Sequence, residues 1–273
     1  MLNIMENKSK LLKLLREKSG AGIVDCQKAL VEAGGDIEKA VEILRKKGLA
    51  KAAKRSDREA GEGVIKVALS GDAKTGYIVE INAETDFAVR SEKFQELAEK
   101  VRRLIMEKQP KDLAELMVLN IDGITVKENL DSLSGVIGEK LGIKKYEMLK
   151  ASGTAAVYSH AGGKIGVLVA LDKEGQSDIA YNIAMQIAAV NPKYISPDEI
   201  PADEINREKE IYQAQFLKEG KPEDMIEKIM PGKLAKFYEE VCLLKQEYIK
   251  DDSKKVVDIL GGVKVERFIR YSL

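Results

Sequence analysis

A run of strand, turn, strand and helix occurs twice in this sequence, and no other feature limits the possible folds as strongly. In the first copy residues 63–69 alternate as a strand, 71–76 turn, 77–82 return as a strand, and 91–106 follow as a helix with Phe94, Leu97, Ala98, Val101, Leu104 and Ile105 along one face. In the second, residues 154–158 and 165–171 are the strands, 159–164 the turn, and 178–190 the helix, striped by Ile179, Ile183, Ile187 and Val190. A period of two sends alternate side chains to opposite faces of a sheet, whereas steps of three and four line one helix face. Each copy can therefore lay a helix over one face of a small antiparallel sheet, and the expected fold class is α+β with two related subdomains. Further helical patterns at 111–119 and 132–141 fill in the first of them.

The remaining segments divide the chain. Residues 8–48 read as three short helices; in the third, Asp36 is placed to cap the start, Ile37, Ala40, Val41 and Leu44 repeat at helical steps, and Gly48 can stop it. Residues 45–58, RKKGLAKAAKRSDR, carry seven basic residues and one acidic one and read as a linker, helical at least in its Ala-rich part, either a solvated tether or a contact for phosphate or an acidic surface. Residues 203–250 are charged and helical, broken at Gly220-Lys221-Pro222, which predicts a helical hairpin with Tyr212, Phe216, Ile226, Ile229 and Phe237 at its seam. Val263, Val265, Phe268 and Ile269 can supply a last strand. The expected division is 1–55, a three-helix module with the basic linker; 56–150, the first α+β subdomain; 151–202 with 251–273, the second; and 203–250, the inserted hairpin.

Composition removes several classes of function. With 273 residues the chain can bury more than one core. Its 45 Lys+Arg balance 45 Asp+Glu, unlike the basic excess of a dedicated nucleic-acid binder, and 5% aromatics with no tryptophan offer few stacking platforms. No apolar run is long enough to span a bilayer and Met1–Lys13 lacks the features of a signal peptide, so a cytoplasmic protein is expected. Cys26 and Cys242 are far apart and outside any CxxC, which speaks against zinc and disulfides. Cys26 falls on the apolar side of a helix, as a small hydrophobe would. His160 is the single histidine, with no nucleophile motif around it, and neither a P-loop nor a GxGxxG occurs. A protein that binds another protein is expected, with no covalent chemistry of its own.

Six segments in the same order resemble the bacterial elongation factor Ts family, the nucleotide-exchange partners of the translational GTPase elongation factor Tu. They are Ser19-Gly20-Ala21-Gly22 with Asp25-Cys26-Gln27-Lys28-Ala29-Leu30; Gly35-Asp36-Ile37 through Lys47-Gly48; Glu84-Thr85-Asp86-Phe87; YSHAGGKIGVLV from Tyr158; the hairpin from Gly220; and Arg267-Phe268-Ile269-Arg270-Tyr271. The resemblance covers nearly the whole chain. It implies a ubiquitin-associated-like N-terminal module, a coiled-coil hairpin that can serve homodimer or partner contacts, and exchange by binding alone. GDP, GTP and Mg²⁺ then belong to elongation factor Tu, and no cofactor is bound directly. Ala88 stands where many relatives have valine, and the sequence stops at Leu273 where longer members carry a further C-terminal module.

On spacing alone, Asp86 can cap the helix that follows and Phe87 can be a core residue beneath it. The resemblance instead gives Thr85, Asp86, Phe87 and Ala88 to the dislodging of the partner's Mg²⁺. It places Arg16, Ile23 and Val24 against the partner's nucleotide-binding domain and His160 against a different domain. A non-catalytic adaptor built on the three-helix module and an RNA binder acting through residues 45–58 are the competing readings, and neither explains the duplication or Thr85-Asp86-Phe87.

Overall fold

The computed structural model describes the backbone from Leu2 to Leu273 and the side chains from Lys8 onward; Met1 and the side chains of residues 2–7, where the reading of Met1–Lys13 begins, lie outside the described residues. Helices α1 (Leu2–Ser19), α2 (Ile23–Glu32) and α3 (Ile37–Ala53) pack around Leu15, Cys26, Ala29 and Ala40. Asp36 caps α3 as its position predicts, accepting a hydrogen bond from the Lys39 N–H at 3.1 Å.

Gly48 does not stop the third helix as its position suggests. Helix α3 runs through Gly48 to Ala53, and Gly48 is buried against another helix. Among the described residues, four of the seven cations in 45–58 make contacts outside α3: Lys47 pairs with Glu32 at 2.5 Å, Lys51 with Asp25 at 3.0 Å and Arg58 with Glu84 at 3.2 Å, while Arg55 donates to the Ser134 carbonyl at 3.1 Å.

Next come β1 (Glu62–Leu69), β2 (Thr75–Ala83), α4 (Asp86–Arg90), α5 (Glu92–Lys108), α6 (Leu113–Val118), the two-residue strands β3 (Asn120–Ile121) and β4 (Ile124–Thr125), α7 (Val126–Ile137) and β5 (Leu141–Lys150). The helix expected at 132–141 thus lies earlier. A capping box between Thr125 and Glu128 starts α7 and left-handed Gly138 ends it. Strand β5 follows; its Ile143 and Tyr146 reach the same core three residues apart because Lys144 is an extra residue in the ladder with β2, while Leu149 is buried on the opposite face, so the buried positions fall at helical intervals. Helix α3 lies against α7 where two glycines meet; a Cβ on Gly135 would stand 2.5 Å from the Gly48 Cα, so no side chain fits.

The second half runs β6 (Thr154–His160), β7 (Ile165–Leu171), α8 (Ser177–Val190), α9 (Ala202–Lys218), α10 (Glu223–Val241), β8 (Glu247–Tyr248), β9 (Asp251–Lys255), α11 (Val256–Ile259) and β10 (Val265–Ser272). Two three-stranded antiparallel sheets result, ordered β1-β2-β5 and β6-β7-β10, with the second strand of each copy at the centre, beside the small pairs β3-β4 and β8-β9. Alternation then builds the layers. Val64, Tyr77, Val79 and Ile81 point to a core with Phe94, Leu97 and Val101 of α5, and Val167, Val169 and Leu171 to one with Ile183 and Ile187 of α8. The opposite faces meet in a third cluster, where Ile65, Ile78 and Leu149 pack on Leu168, Ala170, Ile269 and Tyr271. The sheets are stacked between two outer layers of helix, which is why both central strands are buried on both faces, β7 with apolar side chains throughout and β2 with Glu80 and Asn82 on the face of Ile78.

Helices α9 and α10 form the hairpin, with Phe216, Ile226 and Phe237 buried and Tyr212 and Ile229 half-buried. Its exit is held to α8 by buried Gln186, which donates to the Glu247 carbonyl at 3.0 Å and accepts from the Ile249 N–H at 2.9 Å.

Candidate partner-binding site

Strand β2 delivers the chain into Thr85 through Ala88 at the edge of the first helical layer. The cap of α4 is Thr85, not Asp86 as spacing suggests: its Oγ1 accepts the Ala88 N–H at 3.3 Å, and Asp86 instead pairs with Arg90 one turn on, at 3.0 Å. Helix α4 is held down by Ala88 and Val89, both buried in the first core. Phe87, one step round the helix from Ala88, is 80% exposed, which sets aside its reading as a core residue. Of the four motif residues, then, Phe87 and Asp86 present side chains outward, Thr85 is half-buried in the cap, and Ala88 faces the core.

The base of the motif is tied down by hydrogen bonds. Glu139, in the loop after α7, accepts from the Thr85 N–H at 2.9 Å and the Thr85 hydroxyl at 2.7 Å. The neighbouring Glu84 accepts from the Lys140 N–H at 2.6 Å and from Arg58, and the Lys140 ammonium donates to the Arg58 carbonyl at 2.7 Å. The Lys140 N–H, followed by Arg58, holds the Glu84 carboxyl below the usual carboxylate range against a smaller opposing effect of burial.

The three N-terminal candidates lie at one corner. Arg16 is exposed near the end of α1, and Ile23 and Val24, on the first turn of α2, are 51% and 61% exposed. Burial therefore does not account for the two aliphatic side chains. Gly20, in the turn between the helices, lies against the Lys93 side chain at the start of α5, with Val136 beside it. This contact sets the corner next to the helix that follows α4.

His160 is elsewhere, at the end of β6 in the second sheet. Its ring stacks on Tyr158 at 5.9 Å between centroids, with the Tyr158 hydroxyl 3.0 Å from Nδ1, and Tyr181 of α8 meets Tyr158 edge-on at 5.6 Å. Tyr181 is 47% exposed, so the three rings form an aromatic patch on that half. The spacing of two between Tyr158 and His160 shows that they share a strand face, whereas Tyr181 joins them only through the packing of α8. Glu139 also gives no signal in the sequence, since it meets Thr85 across 54 residues. Among the described residues no helix is long and apolar enough to cross a membrane.

Comparison with known proteins places the chain in a family. The family model described as Elongation factor TS matches residues 84–273, starting at Glu84. Elongation factor Ts of a Nitratiruptor species is 46% identical over 278 aligned positions, covering 96% of this chain and 91% of that protein. That of Nautilia profundicola is also 46% identical, and that of Clostridium perfringens 42%, with the same coverage of each chain. The chain belongs to the elongation factor Ts family.

Proposed function

We propose that this protein is a guanine-nucleotide exchange factor for elongation factor Tu, working in the cytoplasm during translation elongation and making or breaking no covalent bond. The observation that carries the mechanism is Phe87: a large aromatic side chain 80% exposed on a short helix whose base is fixed by Glu139 and Glu84. An aromatic left in water on a rigid mount has burial free energy still to gain, on the order of 2–3 kcal/mol, and a partner's crevice can supply that burial.

A GTPase holds its nucleotide through backbone N–H groups, a lysine and a Mg²⁺ that requires near-octahedral geometry at short distances. In this reading Phe87 enters beside that metal site, with Asp86 next to it, and the distorted GTPase binds better than the nucleotide-loaded one. Linkage makes the weakening mutual: what the exchange factor gains from the empty state, GDP loses. Accelerating release about 10³-fold needs on the order of 4 kcal/mol, more than one aromatic supplies. The corner formed by Arg16, Ile23 and Val24 would contribute much of the rest on the nucleotide-binding domain. His160, with Tyr158 and Tyr181, would hold a second domain. GDP, GTP and Mg²⁺ stay with the partner, and the hairpin and the core are surfaces for a second copy or a further contact.

The test is stopped-flow release of a fluorescent GDP analogue from purified elongation factor Tu against excess unlabelled GDP, across a titration of this protein. The release rate should rise and saturate, and Phe87→Ala should lower the plateau by about 30- to 100-fold. A flat rate with folded protein and cognate GTPase would refute exchange and favour the adaptor.

A further inference from the structure

We infer that Glu139 is a positioning residue for nucleotide release: acting through Thr85, it fixes the orientation in which α4 presents Phe87. The inference rests on the exchange function proposed above and adds to it a residue outside the Thr85–Ala88 motif.

Among the described residues both carboxylate oxygens of Glu139 are engaged by Thr85 alone, one by its N–H and the other by its hydroxyl. The hydroxyl that donates to Glu139 is the same one that accepts the Ala88 N–H and caps α4. With its proton committed to Glu139, the Thr85 oxygen turns its lone pairs toward the helix, so the carboxylate sets the direction of the cap. A five-residue helix has little cohesion of its own, and the direction of Phe87 follows from whatever holds its first turn.

Glu139 is itself rigidly placed. It follows the end of α7 at Gly138, and its carbonyl accepts from the buried Ser134 hydroxyl at 2.5 Å. Arg55, just past α3, donates to the Ser134 carbonyl. One residue on, the Lys140 N–H reaches back to Glu84, so 84–85 and 139–140 are cross-tied in both directions. An alanine at 139 leaves that second tie, the core contacts of Ala88 and Val89, and the three-helix module unaltered. What it removes is the directional restraint on the cap.

The experiment compares full-length wild type, Glu139→Ala, Glu139→Gln and Phe87→Ala in the GDP-release assay, reading the plateau rate separately from the half-saturating concentration. Displacing a positioned group by a fraction of an ångström typically costs rate more than binding, so Glu139→Ala should lower the plateau about tenfold and move half-saturation less than about twofold. Glu139→Gln keeps an acceptor for the Thr85 N–H but meets the hydroxyl with an N–H donor that competes with the Ala88 N–H for its lone pairs, so it should recover only part of the rate and fall between wild type and Glu139→Ala. Amide hydrogen exchange on the free protein gives a readout independent of the partner: residues 85–90 should exchange faster in Glu139→Ala while α5 is unchanged. An unaltered plateau in Glu139→Ala beside a slow Phe87→Ala would overturn the inference and leave the exchange reading standing. A loss confined to half-saturation, or protection at 85–90 equal to wild type, would overturn it as well. A Phe87→Ala variant as fast as wild type would instead remove the motif's role and this inference with it.

Discussion

The two strand–turn–strand–helix copies share a sheet order and a covering helix, but they differ in how the second strand connects to that helix. In the second copy the backbone of residues 172–176 is tied to its own half, with only the exposed Glu174 side chain reaching across to Lys74: Thr154 donates to the Lys173 carbonyl at 2.7 Å, the Gln176 N–H donates to Thr154 Oγ1, and the chain enters α8 directly. In the first, residues 84–91 add the whole of α4, anchored from outside by Glu139 and Lys140 and carrying an exposed phenylalanine. The hairpin turns differ in the opposite sense. The first copy turns through Ser-Gly-Asp-Ala-Lys with no aromatic, while the second ends β6 in the Tyr158–His160 stack. Burial requires the strands and helices to be alike, because each copy must cover one sheet face and stack the other. It places no such demand on the connections, and that is where the copies have diverged into different surfaces.

The sharpest test uses two phenylalanines seven positions apart. Phe94, on the first turn of α5, is fully buried in the first core, so Phe94→Ala should cost about 3–5 kcal/mol in denaturant unfolding. Phe87→Ala should change stability by no more than about 0.5 kcal/mol while slowing GDP release. Comparable stability losses would mean that Phe87 belongs to the core with Ala88 and Val89 and that the two connections do the same work.

The aromatic patch of the second copy gives a smaller effect. His160→Ala and Tyr181→Ala should each weaken binding of elongation factor Tu about 3- to 10-fold, as edge contacts do, and leave the saturated release rate as it was. A fall in the plateau rate would break the assignment of holding to one copy and displacement to the other.

The layers were legible in the sequence wherever burial imposed a period. Residues 63–69, 77–82 and 165–171 announced their strands, and the six-residue stripe from Phe94 announced α5. Strand β5 was not legible because the extra Lys144 shifts its phase, and helix α3 was cut short because Gly48 reads as a stop when its use as a contact for Gly135 is invisible. At the candidate site, the resemblance singled out Thr85 through Ala88, but spacing made Asp86 the cap and left Phe87 open between core and surface. The carboxylate that decides the matter, Glu139, lies 54 residues away and follows no local rule. Side chains that meet only through tertiary packing, Tyr181 among them, leave no trace in the order of residues.

The last and smallest prediction concerns acid, and each connection carries one carboxylate that tests it. Glu84 in the first and Glu174 in the second are both held below the ordinary carboxylate value of 4.5, Glu84 chiefly by the Lys140 N–H and then by Arg58, Glu174 by Lys74. A group whose pKa is depressed on folding adds stability above its unfolded value, and that contribution disappears as the pH falls through the folded one. Glu84→Gln should therefore be less stable than wild type at pH 7, and the difference should close as the pH drops below about 4.5. Glu174→Gln should show the same direction with a smaller amplitude, because Glu174 and Lys74 sit in solvent and salt screens them. Thermal unfolding between pH 3 and pH 7, in low salt and in about 0.5 M salt, separates the two: salt should remove the Glu174 effect and leave most of the Glu84 effect, whose main partner is a backbone N–H and not a mobile charge. If salt removed both equally, the tie at Glu84 would be an ordinary surface ion pair, and the first connection would be no more firmly anchored than the second.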